Sequence, residues 1–271
     1  MRFPLSSLYM MIKTASKLGE LPLQILHKIV FCSLIKAALL TYNASNMQRA
    51  EIEKIIKGIP ASYRALINGK LYLSALKFVK SFNDLIKNAK EPFILKEANI
   101  HYILDFLKET VGKVGVIVVL DCGSIPELVT LTSRFASLNH HTTILNKAFI
   151  NPKGVTAFLT EQLTAFNRKT FLRQYAQLLK ETLNAKAYIK ISTIDLVAHQ
   201  QGVTIENFLA SLNMLKIFDQ INHFAKQDSV LITSDHGYDI IADEHGLYVT
   251  HGYKGECPLN LSKVALFAII D

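Results

Sequence analysis

Apolar residues recur at helical spacing through the first part of the chain. Residues 48–60, 61–89 and 93–113 each place apolar side chains three and four positions apart. The first of these segments ends at Gly58 and Pro60, and the last ends at Gly112, which are typical helix stops. No β-rich run interrupts them, so the pattern predicts an all-helical N-terminal domain over residues 1–112.

A continuous β-branched run, GVIVVLD at residues 115–121, then changes the pattern. Such a run is typical of a strand that is buried on both faces in a parallel sheet. Further strands are predicted at 141–145, 187–195, 229–235 and 264–270, and helices at 125–138, 154–163, 169–184 and 204–226. The alternation predicts an α/β domain over residues 113–271, with a mostly parallel sheet flanked by helices.

The charge of the chain changes at the same place. The formal net charge is +8, and residues 1–113 carry a net +9 while residues 114–271 carry −1. A basic surface favours phosphate-rich partners such as nucleic acid or a membrane surface. A solvated surface of lysine-rich helices explains the same excess, so the charge alone leaves both interpretations open.

The cysteine pattern and the hydropathy indicate a cytoplasmic protein without a transmembrane segment. Cys32, Cys122 and Cys257 are too few and too scattered for a disulfide framework, and no C-x-x-C pair is present. The most apolar early stretch, residues 21–42, is interrupted by His27, Lys28 and Lys36, which makes it a poor membrane span.

Acidic residues and histidines collect where the predicted strands end. Asp121, Asp195 and Asp235 each close an apolar strand, and three histidines lie close by in sequence, namely His199, His236 and His251. Any one of these aspartates alone is better explained as a turn or cap residue. Together they would meet at one sheet edge, because functional groups of α/β sheets gather at the carboxyl ends of strands.

The residue types of this cluster point to a metal centre. Three carboxylates and three imidazoles are costly to bring together unless cations lie among them. Mixed Asp and His ligation suits zinc, manganese or iron, and six ligands are enough for two ions. Asp195 and His199 have the spacing that places both on one side of a helical turn, and Gly237 is expected to ease a sharp turn after Asp235-His236.

The order of these elements resembles the alkaline phosphatase superfamily. The stretches LITSDHGY (231–238) and STIDLVAHQQG (192–202) are most similar to its PglZ-domain branch, which is known from phage-defence systems and some response regulators. The resemblance covers roughly residues 113–271 and implies an alkaline-phosphatase-like fold. It also implies that two divalent ions, zinc or alternatively manganese, are held by two ligand sets, Asp121 with Asp235 and His236, and Asp195 with His199 and His251.

The resemblance further implies a threonine or serine nucleophile between Asp121 and Asp195. The family places it in a Pro-Thr-x-Thr segment that opens a helix, and the corresponding segment here is FINPKGVTAFLTEQL at residues 149–163. Anchoring on Pro152 puts Val155 at the expected position, which is a departure, and Thr156 next to it. Thr156 is the first candidate and Ser124 the second, whereas Thr160 is better explained as an ordinary helix residue.

A second departure concerns phosphate contacts, and the last ligand has an alternative. The family often follows its first aspartate with a glycine and a basic residue, but DCGSIPE (121–127) has no basic residue. Lys153 or Lys254 would have to replace it. His245 repeats the His-Gly pair of His251 and is the alternate ligand.

Two functions follow. The first is a metal-dependent phosphohydrolase, a phosphodiesterase or phosphatase, with nucleotides or nucleic acid as substrates that would suit the basic N-terminal part. The second is a catalytically impaired PglZ-like binding or regulatory module in a defence or signalling complex, which the missing Pro-Thr-x-Thr segment and the missing basic residue favour. In either case the helical N-terminal domain is a candidate surface for protein partners.

Overall fold

The computed structural model describes residues 3–88, 95–163, 171–199 and 203–271. Its first part is helical, as predicted. The helices are α1 (Leu5–Ser16), α2 (Leu23–Thr41), α3 (Asn46–Lys57), α4 (Ala61–Ile67), α5 (Lys70–Asn88) and α6 (Ile100–Thr110). Ser45 caps α3 and Asn99 caps α6. In each case the side chain accepts a hydrogen bond from a first-turn backbone N–H that has no partner within the helix.

The second part is mixed α/β, which confirms the predicted class. Its helices are α7 (Ile125–Ser137), α8 (Thr156–Gln162), α9 (Phe171–Thr182), α10 (Thr193–Ala198), α11 (Ile205–Ser211) and α12 (Met214–Ala225). Its strands are β1 (Val116–Leu120), β2 (Thr142–Ile144), β3 (Phe149–Ile150), β4 (Ala187–Ile191), β5 (Val230–Ser234), β6 (Asp239–Asp243), β7 (Gly246–Thr250), β8 (Leu259–Asn260), β9 (Val264–Ala265) and β10 (Ala268–Ile270).

The main sheet has five strands in the order β2-β10-β5-β1-β4. β1 pairs in parallel with β4 on one side and with β5 on the other. β10 runs antiparallel to both β5 and β2, so the sheet is mixed, and the prediction of a mostly parallel sheet was wrong. Because β1, β4 and β5 are parallel neighbours, their carboxyl ends lie along one edge, which is where the predicted site should be.

Three predicted boundaries were wrong. Asp195 lies inside α10 and not at the end of a strand, because β4 ends at Ile191. The single helix expected over 204–226 is two helices, since the backbone is extended at Leu212, the C-cap of α11, and the side chain of Asn213 caps α12. The last apolar run is split between β9 and β10, which belong to different sheets.

The N-terminal helices share a hydrophobic core with the main sheet. One continuous cluster of buried side chains joins residues from Phe3 to Ala98 with residues from Val116 to Ile270. α7 lies between the sheet and helices α1 and α2, and the guanidinium of Arg134 on α7 donates to the carbonyls of Gly19 and Leu21. The hydrophobic packing is therefore continuous across residue 113. That the chain divides there into two folding units stays a prediction.

α2 is the one helix of the described residues that is long and apolar enough to cross a bilayer. Of its apolar window, 72% is buried inside the fold. Its His27 is fully buried against Glu127 of α7, at 2.7 Å between Nε2 and Oε1. α2 is thus packed as a core helix of this fold.

Candidate metal centre

Four segments of the chain bring the predicted ligands together at the carboxyl edge of the sheet. Asp121 follows β1 and Asp235 follows β5, so their backbones leave adjacent parallel strands at the same edge. Both carboxylates are buried, and the charges of Asp235 and Asp195 lie close enough to disfavour ionisation of Asp121. Asp195 arrives from α10, directly after β4.

The imidazoles complete the cluster. His199 ends α10, and its Nε2 lies 3.0 Å from Oδ1 of Asp195, as the i, i+4 spacing predicts. His251 follows β7, and its Nε2 lies 3.0 Å from Nε2 of His199. The rings of His251 and His236 are stacked with centroids 5.1 Å apart. The contacts therefore run without a break from Asp195 through the histidines to Asp235, whose Oδ2 is 3.4 Å from Nε2 of His236.

Thr156 faces this cluster from the first turn of α8. Its hydroxyl donates to Oδ2 of Asp235 at 2.7 Å, and the same oxygen lies 3.1 Å from Nε2 of His236. Nδ1 of His236 is 2.8 Å from the carbonyl oxygen of Gly237, which requires a proton on Nδ1. Without a proton on Nε2, this second ring nitrogen has a lone pair that Thr156 does not satisfy, because the one hydrogen of the Thr156 hydroxyl is donated to Asp235.

The electrostatics of the cluster fit a bound cation. Burial, with the charges of Asp235 and Asp195, raises the pKa of Asp121 to about 6. Oδ1 of Asp235 and Nδ1 of His251 are buried without a hydrogen-bond partner among the described residues. Unpartnered buried polar atoms are rare and costly, and a divalent ion would satisfy both kinds of atom. Burial and the neighbouring His236 and His199 lower the pKa of His251 to about 4, which leaves it neutral and able to bind a metal.

Two residues at this edge escaped sequence analysis. Cys122 is buried directly after Asp121, and its sulfur, an oxygen of Asp195 and a nitrogen of His251 all lie within 4.8 Å of one another. Burial and the three carboxylates raise the pKa of its thiol well above the ordinary value. Lys190 of β4 reaches Oδ2 of Asp121 at 3.0 Å. The signal for Lys190 was a lone charge in an apolar strand, whereas Cys122 had none beyond its position next to Asp121.

Two glycines allow the site loops to pack closely. Gly252 has φ +63°, and a Cβ there would lie 2.3 Å from Cγ1 of Val155, the residue before Thr156. Gly237 was expected to ease a sharp turn, but it is absent from the positive-φ glycines of the described chain. Its actual requirement is space, because a Cβ would lie 2.6 Å from Oγ of Ser124. The glycines after His236 and His251 are thus explained by close approach of neighbouring segments.

Asp239 holds the loop that carries His251. It is fully buried, and its carboxylate accepts from the backbone N–H of Tyr253 at 3.0 Å and from the hydroxyl of Ser262 at 2.8 Å. Burial raises its pKa, against the lowering effect of these hydrogen bonds. Sequence analysis missed this positioning role, because Asp239 resembles an ordinary strand residue.

The remaining candidates lie at or beyond the margin of the cluster. Ser124 is the N-cap of α7, where its backbone N–H donates to Oε2 of Glu127 at 3.1 Å, and its hydroxyl has no partner among the described residues. The ammonium of Lys153 binds Glu161 at 2.7 Å. His245 lies in the exposed turn between β6 and β7, beside Glu244.

Lys254 lies in the exposed loop after His251. Thr160 lies one turn after Thr156, and its hydroxyl donates to the carbonyl of Thr156 at 3.0 Å. Of these marginal residues, Thr160 therefore contacts Thr156, but only at the backbone carbonyl of Thr156 and not at its hydroxyl.

Comparison of the chain with models of protein families found no match, and neither did comparison with curated proteins.

Proposed function

We propose that this protein is a metal-dependent phosphoric ester hydrolase of the PglZ type, with an alkaline-phosphatase-like fold and a cytoplasmic location. The observation that carries the proposal is the placement of Thr156. The hydroxyl of Thr156, the first nucleophile candidate under the family resemblance, lies 2.7 Å from Oδ2 of Asp235 and 3.1 Å from Nε2 of His236. The other predicted ligands belong to the same cluster, namely Asp121, Asp195, His199 and His251.

The donor set of the cluster suits two divalent ions. Asp121, Asp235 and His236 would hold one, and Asp195, His199 and His251 would hold the other, with zinc favoured over manganese because Cys122 lies among the donors. When bound, such ions polarise the phosphoryl oxygens and stabilise the charge of the leaving group. Cys122 would then compete with Asp195 and His251 for a position on one ion.

The chain's own residues supply the nucleophile and a path for its proton. Thr156 Oγ1 attacks phosphorus in line, and its proton passes to the carboxylate of Asp235, to which the hydroxyl already donates. A bond between Oγ1 and phosphorus forms as the bond from phosphorus to the leaving oxygen breaks. Water then attacks the phosphorus of the phosphothreonine, the bond from phosphorus to Oγ1 breaks, and Oγ1 regains its proton from Asp235. Lys190, 3.0 Å from Asp121, supplies the basic group that the segment after Asp121 lacks.

The test compares hydrolysis of bis(p-nitrophenyl) phosphate and p-nitrophenyl phosphate by the zinc- or manganese-loaded protein and its variants. Thr156→Ala is expected to lower kcat by several orders of magnitude, because covalent catalysis depends on this oxygen. Thr160→Ala is the matched control, one helical turn further on, and should retain most of the activity. Asp235→Asn should lose activity as well.

The outcomes separate the two functions and the two nucleophile candidates. Full activity in Thr156→Ala with loss in Ser124→Ala would transfer the nucleophile to Ser124. Tight metal binding without turnover of either ester would contradict the hydrolase and favour the catalytically impaired binding module. Activity unaffected by Asp235→Asn would contradict the metal centre itself.

A further inference from the structure

A large cleft opens beside the metal centre, between the N-terminal helices and two loops of the α/β part. Its volume is about 1010 Å³, at the upper end of the range for sites that enclose a small molecule. One wall comes from the end of α2 and from α5, and the other from residues 152–155 and 252–258. The cleft therefore exists only where both parts of the chain meet.

The cleft ends beside the two loops that carry Thr156 and His251, although neither of these residues lines it. Val155 and Gly252 line it, and they are the sequence neighbours of Thr156 and His251. Val155 and Gly252 pack against each other, because a Cβ on Gly252 would lie 2.3 Å from Cγ1 of Val155. A ligand that lay along the cleft would thus pass within one residue of the metal centre on each loop.

Lysines are concentrated around the cleft. Lys80 and Lys87 of α5 line one wall, and Lys153, Lys254 and Lys263 line the other. The last three come from residues 114–271, a part of the chain with no positive excess of its own. The concentration is therefore not a mere consequence of the basic N-terminal part.

Few acidic groups offset these lysines. Asp84 and Glu256 are the acidic residues of the lining, and Lys153 already pairs with Glu161. With Lys153 set aside, and with Lys263 offset by the neighbouring buried Asp239, Lys80, Lys87 and Lys254 face the two acids of the lining. A cleft with this balance and length suits several phosphates in a row better than a single one.

Two aromatic rings complete the lining. Tyr42, at the end of α2, and Tyr253, which is 39% exposed, both line the cleft, and the hydroxyl of Tyr42 donates to the carbonyl of Glu256 at 3.3 Å. A positively charged groove that also presents aromatic faces is the usual arrangement for binding single-stranded nucleic acid, because bases stack on the rings while lysines follow the backbone.

We propose that this cleft binds a short stretch of single-stranded nucleic acid and presents one of its phosphodiesters to Thr156. The cleavage part of this inference rests on the proposed function. The binding part does not, since it depends on the lysines and tyrosines of the cleft and not on the metal ligands.

The test measures binding of a fluorescein-labelled (dT)10 by anisotropy at low salt in EDTA. The double charge reversal Lys80→Glu/Lys87→Glu is compared with Lys70→Glu/Lys77→Glu, which changes the same charge on exposed positions of the same helix outside the cleft. The cleft variant should bind at least about tenfold more weakly, and its salt dependence should fall by roughly 0.7 in log–log slope for each phosphate that is no longer neutralised. The control should stay within about threefold of the wild type, since distant exposed charges are screened.

A second comparison tests recognition of bases. Tyr253→Ala should weaken binding of (dT)10 while leaving binding of inorganic polyphosphate unchanged, because only the oligonucleotide has bases to stack. Four results would each overturn the proposal. The two double charge reversals could weaken binding equally, the wild type could fail to bind (dT)10, it could prefer a duplex competitor, or Tyr253→Ala could bind (dT)10 normally.

The same assay keeps this inference separate from the hydrolase. Asp235→Asn should bind (dT)10 like the wild type while turning over no ester. The wild type could show no hydrolase activity while the cleft variants still weaken (dT)10 binding. That result would leave the cleft inference intact and remove the proposed function.

Discussion

Three carboxylates lie at one edge of the sheet, and their mutual repulsion lowers the stability of the metal-free protein. Burial and the charges of Asp235 and Asp195 raise the pKa of Asp121 to about 6, and Lys190 opposes them only in part. A carboxyl with a folded pKa above its unfolded value is destabilising when ionised. A bound divalent ion would reverse that sign, because it stabilises the charged form.

Asp121→Asn should therefore stabilise the protein in EDTA. At pH 7.5 the variant is expected to have the higher free energy of unfolding, since the wild-type carboxylate is ionised in both states but disfavoured in the folded one. The difference should shrink as the pH falls through about 6 and vanish below the unfolded value of 3.8. Urea unfolding of both proteins between pH 3.5 and 8 measures it.

Zinc and a distant carboxylate provide the controls for this prediction. Saturating zinc should reverse the order, so that the wild type becomes the more stable protein. Asp105→Asn, at an exposed position of α6, should change little in either condition. The lowered pKa of His251 acts in the opposite sense over the same pH range, but it is common to both proteins and cancels. A variant less stable than the wild type in EDTA at pH 7.5 would contradict this account.

At this scale, sequence order predicted the residues that approach one another from strand ends. Asp121, Asp235 and His236 follow parallel neighbours directly, so the edge of the sheet had to bring them together. Lys190 and Asp239 could not be predicted, because their partners depend on the register between β1 and β4 and on the path of the loop after β7.

At the scale of elements, a buried polar network ties α2 to α7 and to the segment after His236. Oε1 of Glu127 lies 2.7 Å from Nε2 of His27 and accepts from the hydroxyl of Tyr238 at 2.8 Å. Its other oxygen accepts from the backbone N–H of Ser124 at 3.1 Å. His27, Glu127 and Tyr238 are fully buried, so this network fixes how the N-terminal helices approach the site.

Glu127→Ala is expected to destabilise the protein by about 3–5 kcal/mol, because it leaves His27 and Tyr238 without their partner in the core. Tyr238→Phe should cost only ~1–3 kcal/mol, since it removes one hydrogen bond. Glu109→Ala, at an exposed position of α6, is the control and should stay within about 0.5 kcal/mol of the wild type. The free energy of unfolding in urea measures all three, and a Glu127→Ala variant as stable as the control would contradict the role assigned to the network.

Sequence periodicity predicted most of these elements but not how they are divided. The run 204–226 keeps an apolar stripe on both sides of Asn213, so its periodicity does not reveal the cap that separates α11 from α12. The run 264–270 is likewise uniformly apolar, although β9 and β10 pair with different sheets.

At the scale of the whole molecule, one hydrophobic cluster contains side chains from both the helical part and the α/β part. α7 is buried on nearly every side, because the sheet covers one face while α1 and α2 cover another. The charge change near residue 113 predicted a domain boundary, but charge patterning carries no information about which apolar faces meet. Only the packing of α7 reveals the shared core.

Residues 113–271 produced alone should therefore lack a compact native state. Removal of α1 and α2 exposes the outer face of α7, and an exposed apolar face of that kind favours aggregation or a molten state. The fragment is expected to bind anilinonaphthalene sulfonate and to unfold without a sigmoidal transition, whereas the full chain unfolds cooperatively. A fragment with cooperative unfolding and full-length near-UV circular dichroism would instead establish residue 113 as a boundary between independent folding units.

The central claim is that the Asp and His cluster binds two divalent ions, and calorimetric titration of the EDTA-stripped protein with zinc tests it most directly. The wild type should bind two ions per chain, whereas Asp235→Asn and His199→Ala should each bind one, because each variant removes a ligand from a different set. A wild-type protein that binds no zinc at saturable sites, or variants that bind it unchanged, would contradict the claim.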